Sequence, residues 1–441
     1  FHLADKFDEA EPIYVQLLEQ NPNNAGLMAT LGSLYLQIKR YGLAIHFLEA
    51  TIKAGLKEGD IYTNLGLAYK QVGQYLKAKG LFEKSIEKNP TPESYANYSA
   101  MFIENGESKK CAELCEKAIS IKYDLPIAHW NLAVSLLGDG VWDRAWDEHE
   151  WGLKQNGLRQ DRKVVDVPMW DGTPGKTVTI YGEQGLGDEI MFASMLPDLI
   201  KTNKVILDCH TRLETLFKKS FPEIKVYGSR EEESVTWAGD HQIDYRLSIG
   251  SLGKFYRRSR ESFPGTSYLK AEPLPKGKKF RVGVSWTGGG AKMGRVVKRS
   301  VPLMWWKSIL NTPNVEIVSL QYTDARKDLD MATLAGHEIK VFDESKARDY
   351  YETARLVASC DLVISICTSV VHLAGALGVP CWVMTPKYPA WRYQNTGGMP
   401  WYKSVRLYRS PETEQIGWIP VIERIALDLD ERVNGKAQRV A

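Results

Sequence analysis

Residues 31–35 read LGSLY and residues 65–69 read LGLAY, one copy 34 positions after the other. Working outward from that pair, Ala10, Ala44, Ala78, Cys111 and Ala145 recur at steps of 34, 34, 33 and 34. Tyr98 with Phe102, and Leu132 with Leu136, continue the series, while Pro22 and Pro90 lie two periods apart and each follows an Asn. Self-similarity at such a period marks stacked supersecondary units. The physical reading is two antiparallel helices per unit. Small residues stand where the helices cross, large apolar residues fill the space between units, and Pro ends the second helix because it cannot continue one. The first unit starts at its second helix, so the sequence is expected to begin inside a repeat.

From Lys176 the period changes. Thr177–Tyr181 (TVTIY) is a short β-rich run followed by a Gly-containing loop, 182–188, and an apolar helical stretch over 190–200. Strand-like runs at 204–208 and 224–227 flank a helical segment at 213–220. A second series opens at Phe280–Trp286 and continues through 315–320, 362–366 and 380–384, the last clear strand. Alternation of this kind predicts parallel sheets with crossover helices. The polar, Pro-containing stretch 270–279 reads as a linker between two doubly wound sheets. The expected organisation is a helical solenoid over 1–154, a first Rossmann-like lobe over 155–272 and a second over 273–441.

Composition is that of a globular chain, with 44% hydrophobic and 25% charged residues in 441. No apolar run approaches the ~20 residues that span a bilayer, and the acidic residues among the first ten do not suit a secretion signal. A cytoplasmic protein is therefore expected. The net charge of +3 is unevenly divided: residues 1–154 carry 16 Lys+Arg against 21 Asp+Glu, and the remainder 41 against 33. A basic second part suits an anionic small ligand. The cations are dispersed and no standard recognition motif occurs, which argues against nucleic acid. Cys111 and Cys115 have helical spacing, but no second pair completes a zinc site, so the six cysteines read as reduced and mostly buried thiols. Trp130, Trp142, Trp146 and Trp151 read as a docking face for the next domain.

Ligands of open α/β sheets bind beyond the carboxyl ends of the strands, and three loops there stand out. In Gly185-Leu186-Gly187-Asp188 the glycines permit close backbone approach, and the following helix offers N–H groups to an anion or sugar. Asp188 reads either as a cap for that helix or as a general base. In Trp286-Thr287-Gly288-Gly289-Gly290, a Gly-rich turn precedes Lys292, Arg295, Lys298 and Arg299, cations able to neutralise a diphosphate. In Cys367-Thr368-Ser369, hydroxyl residues open a helix with His372 one turn inside it.

The repeat residues resemble the tetratricopeptide consensus over about 5–154. GLGDEIMFASMLPDL (185–199), VGVSWTGG (282–289) and DLVISICTSVVHLAGALGVPCWV (361–383) resemble the heptosyltransferase-type, family 9 glycosyltransferases. GDGVWDRAWDEHEWGL (138–153), PMWDG (168–172) and AWRY…PWYKSVRLYR (390–409) make the whole chain similar to bacterial proteins that fuse tetratricopeptide repeats to such a domain. The resemblance implies a GT-B fold and inverting transfer from a nucleotide-diphosphate sugar, with no metal or other cofactor. It implies Asp188 as the base. The implied donor-binding set is Gly185, Gly187, Thr287, Gly288, Lys298, Arg299, Cys367, Thr368, Ser369 and His372. Two positions depart from the family pattern. Cys367 stands where an Asp is usual, and Ala390 replaces an acidic residue before Trp391-Arg392; a thiol accepts hydrogen bonds from sugar hydroxyls poorly.

Two functions are therefore expected to compete. One is a glycosyltransferase whose repeats recruit a peptide, protein or glycan acceptor. The other is a non-catalytic scaffold with a degenerate transferase domain. The repeats could also mediate self-association.

Overall fold

The computed structural model describes residues 2–4, 6–155, 157–163, 165–232, 234–288, 300–343, 348–412 and 417–435. It divides into two units, Phe1–Leu136 and Leu137–Ala441.

The first unit is a helical repeat array. Its helices are α1 (Phe7–Gln20), α2 (Ala25–Gln37), α3 (Tyr41–Lys53), α4 (Gly59–Gln71), α5 (Tyr75–Lys88), α6 (Pro92–Glu104), α7 (Ser108–Ile121) and α8 (Pro126–Gly138), the last running across the boundary. The periodic small residues sit where helices cross. A Cβ on Gly32 of α2 would stand 2.6 Å from Leu48 Cγ of α3, and one on Gly66 of α4 would stand 3.2 Å from the Phe82 ring of α5. Ala44, Ala78 and Cys111 are wholly buried at the same helix pairs. Helix starts are marked by side-chain caps: Asn24 Oδ1 accepts the Leu27 N–H at 3.1 Å, and Thr91 Oγ1 accepts that of Ser94 at 3.1 Å, with Pro92 in the first turn.

The second unit opens with α9 (Trp142–His149) and carries two all-parallel sheets. The first contains β1 (Thr177–Tyr181), β2 (Lys204–Asp208), β3 (Lys225–Tyr227) and β4 (Tyr245–Ser248) in the order β3-β2-β1-β4. Its helices are α10 (Leu186–Ala193), α11 (Leu196–Ile200), α12 (Glu214–Ser220) and α13 (Gly253–Tyr256). The second contains β5 (Phe280–Ser285), β6 (Val315–Ser319), β7 (Lys340–Val341), β8 (Leu362–Ile366), β9 (Cys381–Thr385) and β10 (Val405–Arg409) in the order β10-β9-β8-β5-β6-β7. It is flanked by α14 (Lys307–Leu310), α15 (Arg326–Leu334), α16 (Tyr350–Ala358), α17 (Ser369–Leu377) and α18 (Trp418–Asn434). These are two Rossmann-like sheets after a helical repeat array, as the residue patterns predict.

The apolar stretch 190–200 differs from expectation in being two helices. The break falls at Ser194 and Met195, and Pro197 occupies the first turn of α11, where its missing N–H costs nothing. Three strands, β4, β7 and β10, lie beyond those the sequence pattern marked. In each sheet the strand order reverses beside the first strand, at β1/β4 and at β5/β8. Ligands of such sheets bind outside the carboxyl ends at these reversals. The loops 182–185 and 367–368 leave β1 and β8 there.

An aromatic hub joins α9 to both sheets. Trp146 is fully buried, its indole N–H donates to the Arg257 carbonyl at 2.7 Å, and its ring meets Trp391 edge-on with centroids 6.0 Å apart. A Cβ on Gly253 would stand 2.6 Å from the same ring. Trp142 and Trp146, expected to form a docking face, are thus part of the second unit's own core.

Beside the hub lies Arg159, whose side chain is wholly buried. It donates to both oxygens of Glu183 at 2.7–3.1 Å, to Glu150 at 2.7 Å, and to Ser248 and Ser251 at 3.1 and 2.9 Å. Glu183, equally buried, follows β1, while Ser248 ends β4 and Ser251 follows it. One guanidinium therefore ties the end of the α9 segment to both strands of the first reversal. Removing one partner of such a pair strands the other charge in the interior, at a cost of about 3–5 kcal/mol. Arg159→Met is expected to destabilise the second unit by that amount in urea unfolding. Tryptophan fluorescence reports the unit, since 12 of the 13 tryptophans fall within 137–441. Arg159→Met/Glu183→Met should lose less than the sum of the two single changes; simple additivity would show that the two groups are not energetically coupled.

Candidate functional site

The loop after β1 is held by two buried carboxylates. Glu183 is fixed by Arg159 as described. Glu189, in the first turn of α10, is fully buried, pairs with Arg230 and accepts the His210 N–H at 3.1 Å. Its carboxylate fills the space a Cβ would need at Gly182. Burial raises the Glu189 pKa to about 7, with Arg230 opposing. Arg230 also donates to the Gln184 carbonyl at 2.5 Å, which restrains Gln184 in the left-handed region at φ 61°. The loop is thereby set at the start of α10, where Gly185 is the cap residue and its N–H donates to Asp188 Oδ2 at 3.2 Å. Asp188 caps its own helix through one oxygen. The other oxygen is paired with Arg392, which lies 204 residues further along and belongs to the second sheet's lobe.

Across from this loop, the wholly buried β8 runs into Cys367, Thr368 and α17. Thr368 is the cap residue of α17, yet its side chain makes no capping bond; its hydroxyl lies 3.2 Å from Ser365 Oγ. Ser369 Oγ is bonded to the buried Tyr350 hydroxyl at 2.9 Å. The Cys367 thiol is half-buried and lies 3.8 Å from the Met384 carbonyl. His372 is buried, with Nδ1 3.3 Å from the Tyr402 hydroxyl. Burial, helped by Arg392 and opposed by Asp188, lowers its pKa to about 3, so the imidazole is neutral. Tyr402 in turn covers Gly375, where any side chain would enter its ring.

The two loops touch. A Cβ on Gly187 would stand 3.1 Å from the His372 ring and 3.2 Å from Ser369 Cα, so glycine lets α10 and α17 meet backbone to side chain. The structure thus brings Gly187, Asp188, Ser369 and His372 together, with Gly185 directly behind Asp188. Thr287 stands at the neighbouring strand end. Its N–H donates to Gln321 Oε1 at 3.2 Å and its hydroxyl is 2.9 Å from Ser300 Oγ, both within its own lobe. Among the described residues nothing stands within 4 Å of a Cβ placed on Gly288. Lys298 and Arg299, with Gly289, Gly290, Lys292 and Arg295, lie outside the described residues.

Four neighbours of this site were not singled out by sequence reasoning: Arg392, Arg409, Tyr402 and Gln321. Arg392 and Tyr402 sit in the quoted AWRY…PWYK segment, and an arginine inside an aromatic motif was the available signal. Gln321 is buried and its Oε1 accepts from Trp286 and Thr287 at 3.2 Å each, bracing the loop after β5.

Comparison with known proteins matches the repeat part of the chain to a family model. Residues 2–65 and 59–92 match tetratricopeptide-repeat profiles. The chain is 29% identical over 426 residues to Protein FlbA of Caulobacter vibrioides, an alignment covering 89% of this chain and 70% of that protein. Among solved structures, the chain is similar to MamA, at 25% identity and TM-score 0.31 over 35% of this chain and 90% of that one. It is also similar to YrrB, described as a TPR protein with an unusual peptide-binding site, at 17% identity and TM-score 0.29 over 35% of this chain and 79% of that one.

The neutral imidazole has a measurable consequence. The unfolded His372 titrates near 6.5 and the folded one near 3, so between those values the unfolded chain holds the extra proton. Its contribution is complete above pH 6.5 and falls by about 1.4 kcal/mol per unit as pH drops. Glu189 acts in the opposite sense: raised from 4.5 to about 7, it lowers stability as pH rises through that window. Between pH 7.5 and 5.0, His372→Gln is therefore expected to lose about 2 kcal/mol less than the parent chain in urea unfolding. Equal losses would mean the imidazole titrates normally in the fold.

Proposed function

We propose that this chain is a glycosyltransferase of GT-B type that moves a sugar from a nucleotide-diphosphate donor to an acceptor hydroxyl. In this reading residues 273–441 hold the donor, 155–272 face the acceptor, and the repeats over 1–154 recruit a peptide, protein or glycan acceptor on the kind of extended surface such arrays form. The observation that carries it is the meeting of Asp188, from the first lobe, with the start of α17 in the second. Asp188 takes the proton of the acceptor hydroxyl while that oxygen attacks the anomeric carbon from the side opposite the diphosphate, inverting the centre. The charge that collects on the departing diphosphate is met by the first-turn N–H groups of α17 and by Thr368 and Ser369. His372 stays neutral at the cleft floor, with Thr287 and Gly288 lining the next strand end. Lys298 and Arg299 add positive charge to the leaving group, as the family resemblance implies. Arg392 must yield one Asp188 oxygen before proton transfer, and an arriving phosphate competes for that guanidinium.

A second reading, a non-catalytic scaffold, draws support from the occupancy of both Asp188 oxygens by Gly185 and Arg392. There the carboxylate would be a pin between the lobes. A thermal-shift survey of nucleotide sugars followed by turnover assays separates the two. The transferase reading expects one donor to stabilise the chain, with Asp188→Asn keeping donor affinity and losing about 10²–10⁴-fold in turnover, the usual worth of a general base. Donor binding without turnover in the parent chain, for any acceptor tried, would leave the scaffold.

A further inference from the structure

We propose that Arg409 and Arg392, beside Cys367, form a subsite for a carboxylate carried on the donor's sugar. The inference rests on the transferase reading and adds a substrate class to it. Arg409 is the last residue of β10, opposite Thr385 of β9 in register. One of its terminal nitrogens donates to the Tyr393 and Gly397 carbonyls at 2.9 and 3.1 Å, while Nη1 is buried with no hydrogen-bond partner among the described residues. Arg392 gives one terminal nitrogen to Asp188, and its Nε is likewise buried without an acceptor. Two guanidinium groups thus each keep an N–H out of water and unused, which is costly unless something supplies an acceptor.

The charge count points the same way. Asp188 balances one of the two cations, and His372 between the lobes is neutral. The acceptors around Arg409 are carbonyls, which carry no charge, and burial pushes the Arg409 pKa down. The Cys367 thiol lies within electrostatic reach of both arginines. At Cys367 a thiol, not a carboxylate, stands beside both cations. The missing anion is then a ligand's.

Its position favours the sugar over the diphosphate. The expected diphosphate seat lies at the start of α17, between the carboxyl ends of β8 and β5, whereas Arg409 arrives on β10, at the other side of β8 in the order β10-β9-β8-β5. A donor whose phosphates lie over β8 and β5 turns its sugar toward Cys367 and the arginines. Guanidinium forks also match the planar, two-oxygen shape of a carboxylate.

Calorimetry on the full chain tests this with UDP, UDP-glucose and UDP-glucuronate, and with GDP, GDP-mannose and GDP-mannuronate. In one base series the acidic sugar should bind at least about tenfold more tightly than its neutral partner, a difference of about 1.4 kcal/mol. Cys367→Asp, which places a carboxylate beside the arginines, should bring the pair within about twofold, while affinity for the nucleoside diphosphate alone changes little. Arg409→Gln should do the same, and Arg409→Lys should keep part of the preference. Equal binding of neutral and acidic sugars by the parent chain would overturn the subsite and leave the transferase reading standing. So would an Arg409→Gln variant that weakens the bare nucleoside diphosphate as much as the uronate, because the arginine would then be holding phosphate. If the wider thermal-shift survey of nucleotide sugars finds none that binds, the transferase reading fails and the subsite fails with it.

Discussion

Burying a guanidinium is costly unless its N–H groups find acceptors and a countercharge lies close by, and Arg159 meets both conditions with groups from three separate stretches of chain. The requirement works in both directions. Glu183 can be buried only because Arg159 reaches it, and Arg159 reaches it only if the segment after α9 crosses the carboxyl ends of β1 and β4. The loop after β1 is consequently anchored before any functional residue in it is considered. Glu189 and Arg230 anchor the same loop from its other side, and the carboxylate that excludes a side chain at Gly182 is the one that Arg230 neutralises. Polar networks of this kind specify one arrangement, because a half-satisfied alternative is far costlier than the satisfied one.

With that loop fixed, the approach of the two lobes becomes a matter of side-chain volume. Gly187 admits the His372 ring, so α10 and α17 come together with nothing between them there, and Gly375 admits the Tyr402 ring within the second lobe. The Tyr268 hydroxyl, on the connecting strap, donates to the Ile190 carbonyl of α10 at 2.5 Å and lies 3.3 Å from the Tyr402 hydroxyl. The strap, the first lobe and the second lobe therefore share one set of contacts. The Asp188–Arg392 pair closes the set on its solvent side, and it is the part that an anionic ligand could exchange without disturbing the packing beneath.

How much of this was legible in the sequence follows from the range of each interaction. The repeat array could be read because each contact recurs every 34 residues, and Gly32 and Gly66 face Leu48 and Phe82 within one unit. The central strands β1, β5, β8 and β9 could be read because parallel strands covered on both faces are continuous apolar runs. β10 escaped because VRLYR alternates charge with half-buried apolar residues, as suits the edge of a sheet. The 190–200 stretch reads as one helix because its composition stays apolar through a break that only Pro197 marks. Among site residues, those next to glycine in strand-ending loops stood out. Arg392 and Gln321 did not, since each takes its meaning from a partner far off in the chain, and no local spacing records that Arg392 will meet a carboxylate 204 residues away. Arg409 did not, because the charge alternation of its edge strand hides it.

The contact between the lobes also explains why histidine can occupy a position one turn into α17. A protonated imidazole there would face Arg392 with a single carboxylate to serve two cations, and burial removes that conflict by keeping the ring neutral. The positive charge near α17 is thereby concentrated in guanidinium groups, which do not lose their protons at any pH the fold survives. Under the transferase reading, a helix start whose cap hydroxyl makes no capping bond, a neutral ring and two arginines with idle N–H groups form a surface suited to anions. The one carboxylate present, Asp188, competes with any such anion for Arg392. Under the transferase reading that competition is productive: the ligand that brings the negative charge is also the one whose arrival releases the base, so proton abstraction becomes available only when there is a sugar to transfer.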